Sequence, residues 1–199
     1  MYNIPMFSKD KLVFLEEIPK PCYYNNTKEH LSVIFNNNCL YILYEKLEPK
    51  KTSGNININS VHKKSFVVLL FEYEIAHYFY KTYPNFRCGH PLKNKGNLLA
   101  GYSYKVEHSS WIAQTKKTHL FDNHGMSDGR LAEKDYYDDM NHYIITFDDY
   151  FFECLAKRYE LRVVFADKKK ILQEVLNESN DTSCVSIDES PYFKNLASN

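Results

Sequence analysis

Glycine is scarce in this chain, six residues among 199, and none belongs to a Gly-x-x-x-x-Gly-Lys string, so nucleotide hydrolysis of the P-loop kind is excluded. No long apolar run exists either. The longest, Phe66 to Phe71, is far short of the roughly 20 residues that span a bilayer as a helix. Net charge is absent, with 25 basic side chains against 25 acidic ones, so the field that drives binding to phosphate backbones or anionic membranes is missing. Neither nucleic acid nor membrane is therefore expected as a partner. The lysine pairs and triplet (Lys63-Lys64, Lys116-Lys117, Lys168-Lys169-Lys170) are the sole support for a nucleic-acid reading. No Cys-x-x-Cys pair occurs, and the five cysteines, Cys22, Cys39, Cys88, Cys154 and Cys184, are odd in number and scattered, which speaks against a disulfide framework. The N-terminal stretch carries Lys9, Asp10 and Lys11 among its apolar residues and lacks the pattern of a secretory signal. Cytoplasmic location is the expectation by elimination.

Aromatic residues are abundant, 16% of the chain with 17 Tyr and 13 Phe but a single Trp. Such side chains suit pleated, half-buried surfaces and tilt the expectation toward sheet. With 44% hydrophobic and 25% charged residues the composition is that of a folded domain. The fold class expected is α+β: mainly antiparallel sheet, one C-terminal helix and one or two short helices. Residues 1–180 are read as a single domain and 181–199 as a flexible tail.

Local patterns place the elements. Leu12 to Ile18 offers one short strand, and Leu31–Phe35 with Cys39–Tyr44 forms a hairpin across the turn-tolerant Asn36-Asn37-Asn38. Pro49 to Lys64 is polar and reads as an exposed loop, Phe66–Phe71 as a buried strand, and Glu72–Tyr80 as strand or short helix. Strand pattern returns over Leu98–Val106. Ser109-Ser110 caps a helix from Trp111 to about Lys117. Three strands follow over His142–Phe147, Phe151–Ala156 and Tyr159–Phe165, and a closing helix runs from Lys168 to about Asn177 with Asp167 as cap and Ile171, Leu172, Val175 and Leu176 as its apolar stripe.

The most informative inference concerns the turn at Asp148-Asp149. If these two residues form the loop of a hairpin, Thr146 faces Phe151, Ile144 faces Glu153 and His142 faces Leu155. One face then holds His142, Ile144, Thr146, Phe151, Glu153 and Leu155. A carboxylate in that company must find a hydrogen-bond partner, or burial raises its pKa, and the diagonal neighbour His142 is within reach. Glu153 and His142 are thus the candidate acid–base pair. A one-residue slip would send Glu153 to the other face.

Metal binding is a weaker possibility. Six of the eight histidines lie between His77 and His142, yet Cys88-x-His90 and His119-x4-His124 match no strong zinc signature. No metal site is therefore assigned, with zinc as a minor possibility at His90, His119 and His124. Ser109, Ser110 and Cys154 lack the context of a catalytic nucleophile. Residues 121–150 carry eight acidic side chains against Arg130 and Lys134, a surface a cationic partner could use.

Three strings carry a resemblance: Gly89-His90-Pro91-Leu92, Ser109-Ser110-Trp111-Ile112, and His142-Tyr143-Ile144-Ile145-Thr146-Phe147-Asp148-Asp149 running on to Phe152-Glu153-Cys154-Leu155-Ala156. In this order they resemble a group of uncharacterised bacterial proteins, over roughly residues 66–165. The resemblance implies a single domain and singles out His90, Trp111 and Asp149 as binding candidates beside the acid–base pair. It implies no activity, and where the group tends to carry His before the last Asp, this chain has Asp148. The function expected is a small non-enzymatic binding module, immunity-like or partner-neutralising, with a protein partner and homodimerisation left open by edge strands rich in Tyr and Phe. The alternative is a hydrolase-type enzyme using the Glu/His pair, with or without metal.

Overall fold

The computed structural model describes residues 9–21, 31–36, 39–46, 65–81, 90, 92, 98–122, 137–147 and 150–178. They form nine strands and two helices in an α+β arrangement dominated by antiparallel pairing. The strands are β1 (Lys11–Phe14), β2 (Ser32–Asn36), β3 (Cys39–Glu45), β4 (Phe66–Glu72), β5 (Ala76–Lys81), β6 (Ser103–Glu107), β7 (Asn141–Thr146), β8 (Tyr150–Ala156) and β9 (Arg158–Val164). The helices are α1 (Ser110–Asp122) and α2 (Lys168–Glu178). No described helix is long and apolar enough to cross a membrane. The chain groups into two compact units, one of Met1–Ile18 with Tyr73–Arg158 and one of Pro19–Glu72 with Tyr159–Asn199.

The second of these units holds a four-stranded sheet in the order β2-β3-β4-β9. Its hairpin closes with Asn36 opposite Cys39, as the asparagine run predicts. β4 is buried along its whole length, consistent with its uninterrupted apolar sequence. Cys39, Tyr41, Leu43, Phe66, Val68, Leu70 and Val164 share one cluster with Ile171 and Val175 of α2. That helix starts where Asp167 accepts the Lys169 N–H on its side chain at 2.8 Å, while the Asp167 carbonyl accepts the Ile171 N–H at 3.1 Å. Its apolar stripe is narrower than the sequence suggests, because Leu172 is only half-buried and Leu176 is 53% exposed. Cys39 is disulfide-bonded, a bond that the scattered cysteines did not lead one to expect although it makes no framework, and Cys154 is a free, buried thiol.

The first unit holds a five-stranded sheet in the order β1-β6-β7-β8-β5, with neighbouring strands antiparallel. The ambiguous segment after Glu72 is therefore strand from Ala76 onward. The chain before β6 is not: Leu98 to Tyr102 forms a turn in which Gly101 takes φ 76°, open to glycine without steric cost. Thr146 holds that turn to the end of β7, its hydroxyl accepting the Tyr102 N–H at 2.9 Å and lying 2.5 Å from the Leu99 carbonyl oxygen. α1 extends well past the expected end at Lys117. Pro49–Lys64, Asp148-Asp149 and the tail lie outside the described residues.

Truncation of α2 separates its two kinds of apolar residue. Ile171→Ala is expected to cost about 2–5 kcal/mol in urea unfolding, and Leu176→Ala no more than about 0.5 kcal/mol.

Candidate functional site

β7 and β8 pair in the register expected of a two-residue loop: His142 opposite Leu155, Ile144 opposite Glu153, Thr146 opposite Phe151. Glu153 therefore shares a face with His142, its diagonal neighbour. On the other side of β8, β5 places Tyr78 directly opposite Glu153, and on the other side of β7, β6 places Val106 opposite His142. The same face carries an apolar cluster of Leu92, Leu98, Tyr104, Val106, Ile144 and Phe151.

Leu92 belongs to that cluster and is 1% exposed, so it anchors the segment that brings His90 to the sheet. The His90 ring stacks on Phe151 with centroids 5.3 Å apart. Its Nε2 hydrogen-bonds to Oε1 of Glu153. Nε2 of His142 lies 3.2 Å from Oε2 of the same carboxylate. Each oxygen of one buried acid is thus bound by a different imidazole.

α1 completes the site. Ser109 caps it, its Oγ accepting the Ile112 N–H at 3.3 Å, and the same Oγ is 2.9 Å from Nδ1 of His142. The preceding residue, His108, takes φ 55°, and this left-handed step turns the chain from β6 into the helix. Asp10, itself buried, receives the Ser110 N–H and Oγ–H, both at 2.8 Å. Trp111 then stands edge-on to His142 at 5.1 Å and stacks on Tyr78 at 4.9 Å.

Proton positions follow from these partners. The Leu92 N–H donates to Nδ1 of His90 at 3.1 Å, so Nδ1 is bare and Nε2 carries the proton given to Glu153. Nε2–H of His142 donates to the ionised Oε2 of Glu153, which leaves Nδ1 of the neutral ring bare to accept the Ser109 hydroxyl proton, while the Ser109 oxygen accepts from Ile112. Burial pushes the Glu153 carboxyl up, but hydrogen bonds from His142 and His90, with the charge those rings can carry, overcome it and bring the pKa down to about 2. The desolvated acid with a pKa near neutrality, one branch of the sequence reading, is not what forms. Glu153 is an ionised acceptor.

The same hydrogen bonds limit other chemistry. A metal ligand needs a bare nitrogen, and the bare nitrogen of His90 is occupied by Leu92. Among the described residues, no group of three or more His, Cys, Asp or Glu side chains is placed to hold a metal ion. A Ser109 nucleophile would need free N–H donors for an oxyanion, whereas the Ser110 and Ile112 N–H groups are engaged and the Asp10 carboxylate sits at that helix end.

Of the positions singled out in the sequence, His90, Trp111, His142 and Glu153 converge on one sheet face. Asp149, His124 and the side chain of His119 lie outside the described residues. Sequence reasoning missed Tyr78, whose place depends on the long-range pairing of β5 with β8, and Asp10, which meets Ser110 across a hundred residues of chain. It read Ser109 as a cap without seeing the histidine beside it. No family model, no curated protein and no solved structure matches the chain, so the site is interpreted from its own geometry.

The folded-state pKa of Glu153 lies below its ordinary value of 4.5, so the stability it contributes is complete above that pH and is lost as pH falls toward about 2. Urea unfolding across this window is expected to show a decline on the order of 3 kcal/mol in the native protein that is absent from Glu153→Gln. Parallel declines in both would show that this carboxylate is not the group responsible.

Proposed function

We propose that the five-stranded unit is an acid–base site of hydrolase type, in which His142 moves protons and Glu153 receives and orients them. The observation that carries this reading is a single buried carboxylate bound at both oxygens by imidazoles from separate segments, on a face that apart from Thr146 is aromatic and aliphatic. A polar network serving only the sheet register needs one such bond. Here a second histidine reaches the same acid from another segment, and a serine and an aromatic pair from further segments stand beside His142. The chemistry that fits takes a proton from an attacking O–H group and returns one to the leaving group. His90 fixes the carboxylate, and Tyr78 with Trp111 forms an aromatic wall beside it.

A binding role has one observation in its favour. Tyr78 and Phe79 are 55% and 43% exposed on β5, an edge strand of the sheet, and exposed aromatics on an edge suit a protein partner or a second copy of this chain. This is the non-enzymatic, partner-neutralising module expected from the aromatic sheet and the acidic stretch 121–150. Sedimentation of the native protein against the double variant Tyr78→Ser, Phe79→Ser tests the homodimer form of this reading, which requires a dimer in the first and a monomer in the second.

Cytoplasmic location is the expectation from the sequence, whereas a disulfide at Cys39 favours an oxidising compartment. Thiol labelling of protein drawn directly from cells, with and without reductant, distinguishes the two.

For the acid–base reading, purified protein is offered chromogenic carboxylic esters, phosphoesters and glycosides. Turnover of one class is expected, falling by about 100-fold or more in His142→Ala and in Glu153→Gln. Turnover untouched by either substitution, or none with any class, overturns the assignment.

A further inference from the structure

We infer that Ser109, His142 and Oε2 of Glu153 form a directional proton relay in which His142 is the imidazole that changes tautomer, while His90 is a positioning residue whose tautomer is locked. This rests on the acid–base reading of the site and adds which nitrogen, which oxygen and which hydroxyl carry the proton.

The asymmetry lies in what faces each Nδ1. At His90 it is the backbone N–H of Leu92, which can only donate, at 3.1 Å. A proton placed on that nitrogen would set two donors against each other on a segment held by the buried Leu92. At His142 it is the Ser109 hydroxyl at 2.9 Å, which donates or accepts by rotating about its C–O bond. Only at His142 can Nδ1 take up a proton and still find an acceptor, provided that Oε2 of Glu153 receives the proton leaving Nε2.

The carboxylate inherits this asymmetry. Oε1 is tied to a permanent donor, the Nε2–H of His90. Oε2 faces a nitrogen that can give its proton away, 3.2 Å distant. An O–H or N–H acid delivers its proton to the Ser109 oxygen, the Ser109 proton passes to Nδ1 of His142, and the Nε2 proton passes to Oε2. The acid becomes its anion, Ser109 regains its hydroxyl, His142 stays neutral with its proton relocated, and Glu153, ionised at rest, is a carboxylic acid only while the proton is in transit. In that loaded state Oε2–H donates to Nε2 of His142, and Oε1 still accepts from His90. The reverse sequence returns the proton to a leaving group.

Among the described residues, the titratable groups facing His142 are few. Glu153 faces it from β8, with His90 beyond that carboxylate; Ser109 and Trp111 face it from α1 and Val106 from β6, none of which titrates in the ordinary range. Asp10 is turned to Ser110.

Glutamine at 153 reproduces the loaded state, since its amide offers one acceptor and one donor where the carboxylic acid does. Ring-nitrogen NMR on histidine-labelled native protein should show both His90 and His142 protonated at Nε2. In Glu153→Gln, His142 should switch to Nδ1–H while His90 keeps Nε2–H. A native His90 protonated at Nδ1, or a variant in which His90 switches and His142 does not, overturns the relay. Should that variant not fold, Ser109→Ala decides. Loss of the relay should slow solvent exchange of the His142 Nε2 proton, with Ser109→Thr restoring it, whereas a merely structural serine would leave exchange unchanged or speed it by loosening the packing. The readout needs no substrate. Absent turnover with these tautomers intact removes the hydrolase reading alone, and turnover with other tautomers removes the relay alone.

Discussion

A carboxylate on an aromatic sheet face stays ionised only where hydrogen bonds replace the water it has lost. At Glu153 both oxygens are satisfied by imidazole nitrogens, and each imidazole is in turn held at its other nitrogen, His90 by a backbone amide and His142 by a serine hydroxyl. The remaining features of the site serve this chain of bonds. Leu92 is buried so that His90 is fixed in place, and His108 accepts a left-handed backbone so that Ser109 can both cap α1 and reach His142. Asp10 holds the start of that helix.

A network of this kind contributes to stability and to chemistry through the same bonds. Removing one partner leaves a buried donor or acceptor unmatched, which is why such groups also pin strand register. What a purely structural network does not require is the difference between the two histidines. One nitrogen is matched to a group that can only donate, the other to a group that can reverse its role. Proton movement needs such reversible partners, and at this site they lie on one side of the acid only.

Much of the local structure is legible in the residues themselves. The alternation of His142, Ile144 and Thr146 against Phe151, Glu153 and Leu155 lists the two faces of β7–β8 once a two-residue loop is supposed, because side chains in paired strands repeat every two residues, and the structure has that register rather than the slipped one. Asp167 announces the start of α2 and the asparagine run the β2–β3 turn, each through hydrogen bonding or backbone preferences that act over a few residues. Errors occur where tertiary packing overrides local preference. Leu176 continues the apolar stripe of α2 yet faces away from the cluster that buries Ile171 and Val175, and the stretch Leu98–Tyr102, strand-like in composition, is turned by its bonds to Thr146.

By itself the sequence determined the α+β class, the hairpin that turns Glu153 toward His142, and the short list of side chains able to share a site, since periodicity and turn chemistry are properties of neighbouring residues. Only the tertiary structure decided that Glu153 is ionised rather than protonated, that Ser109 and Tyr78 join the site, and that His90 and His142 differ in kind. Those outcomes depend on which groups from distant segments arrive at each polar atom. No local pattern encodes such meetings, because they are fixed by strand order and by the burial of residues such as Leu92 far along the chain.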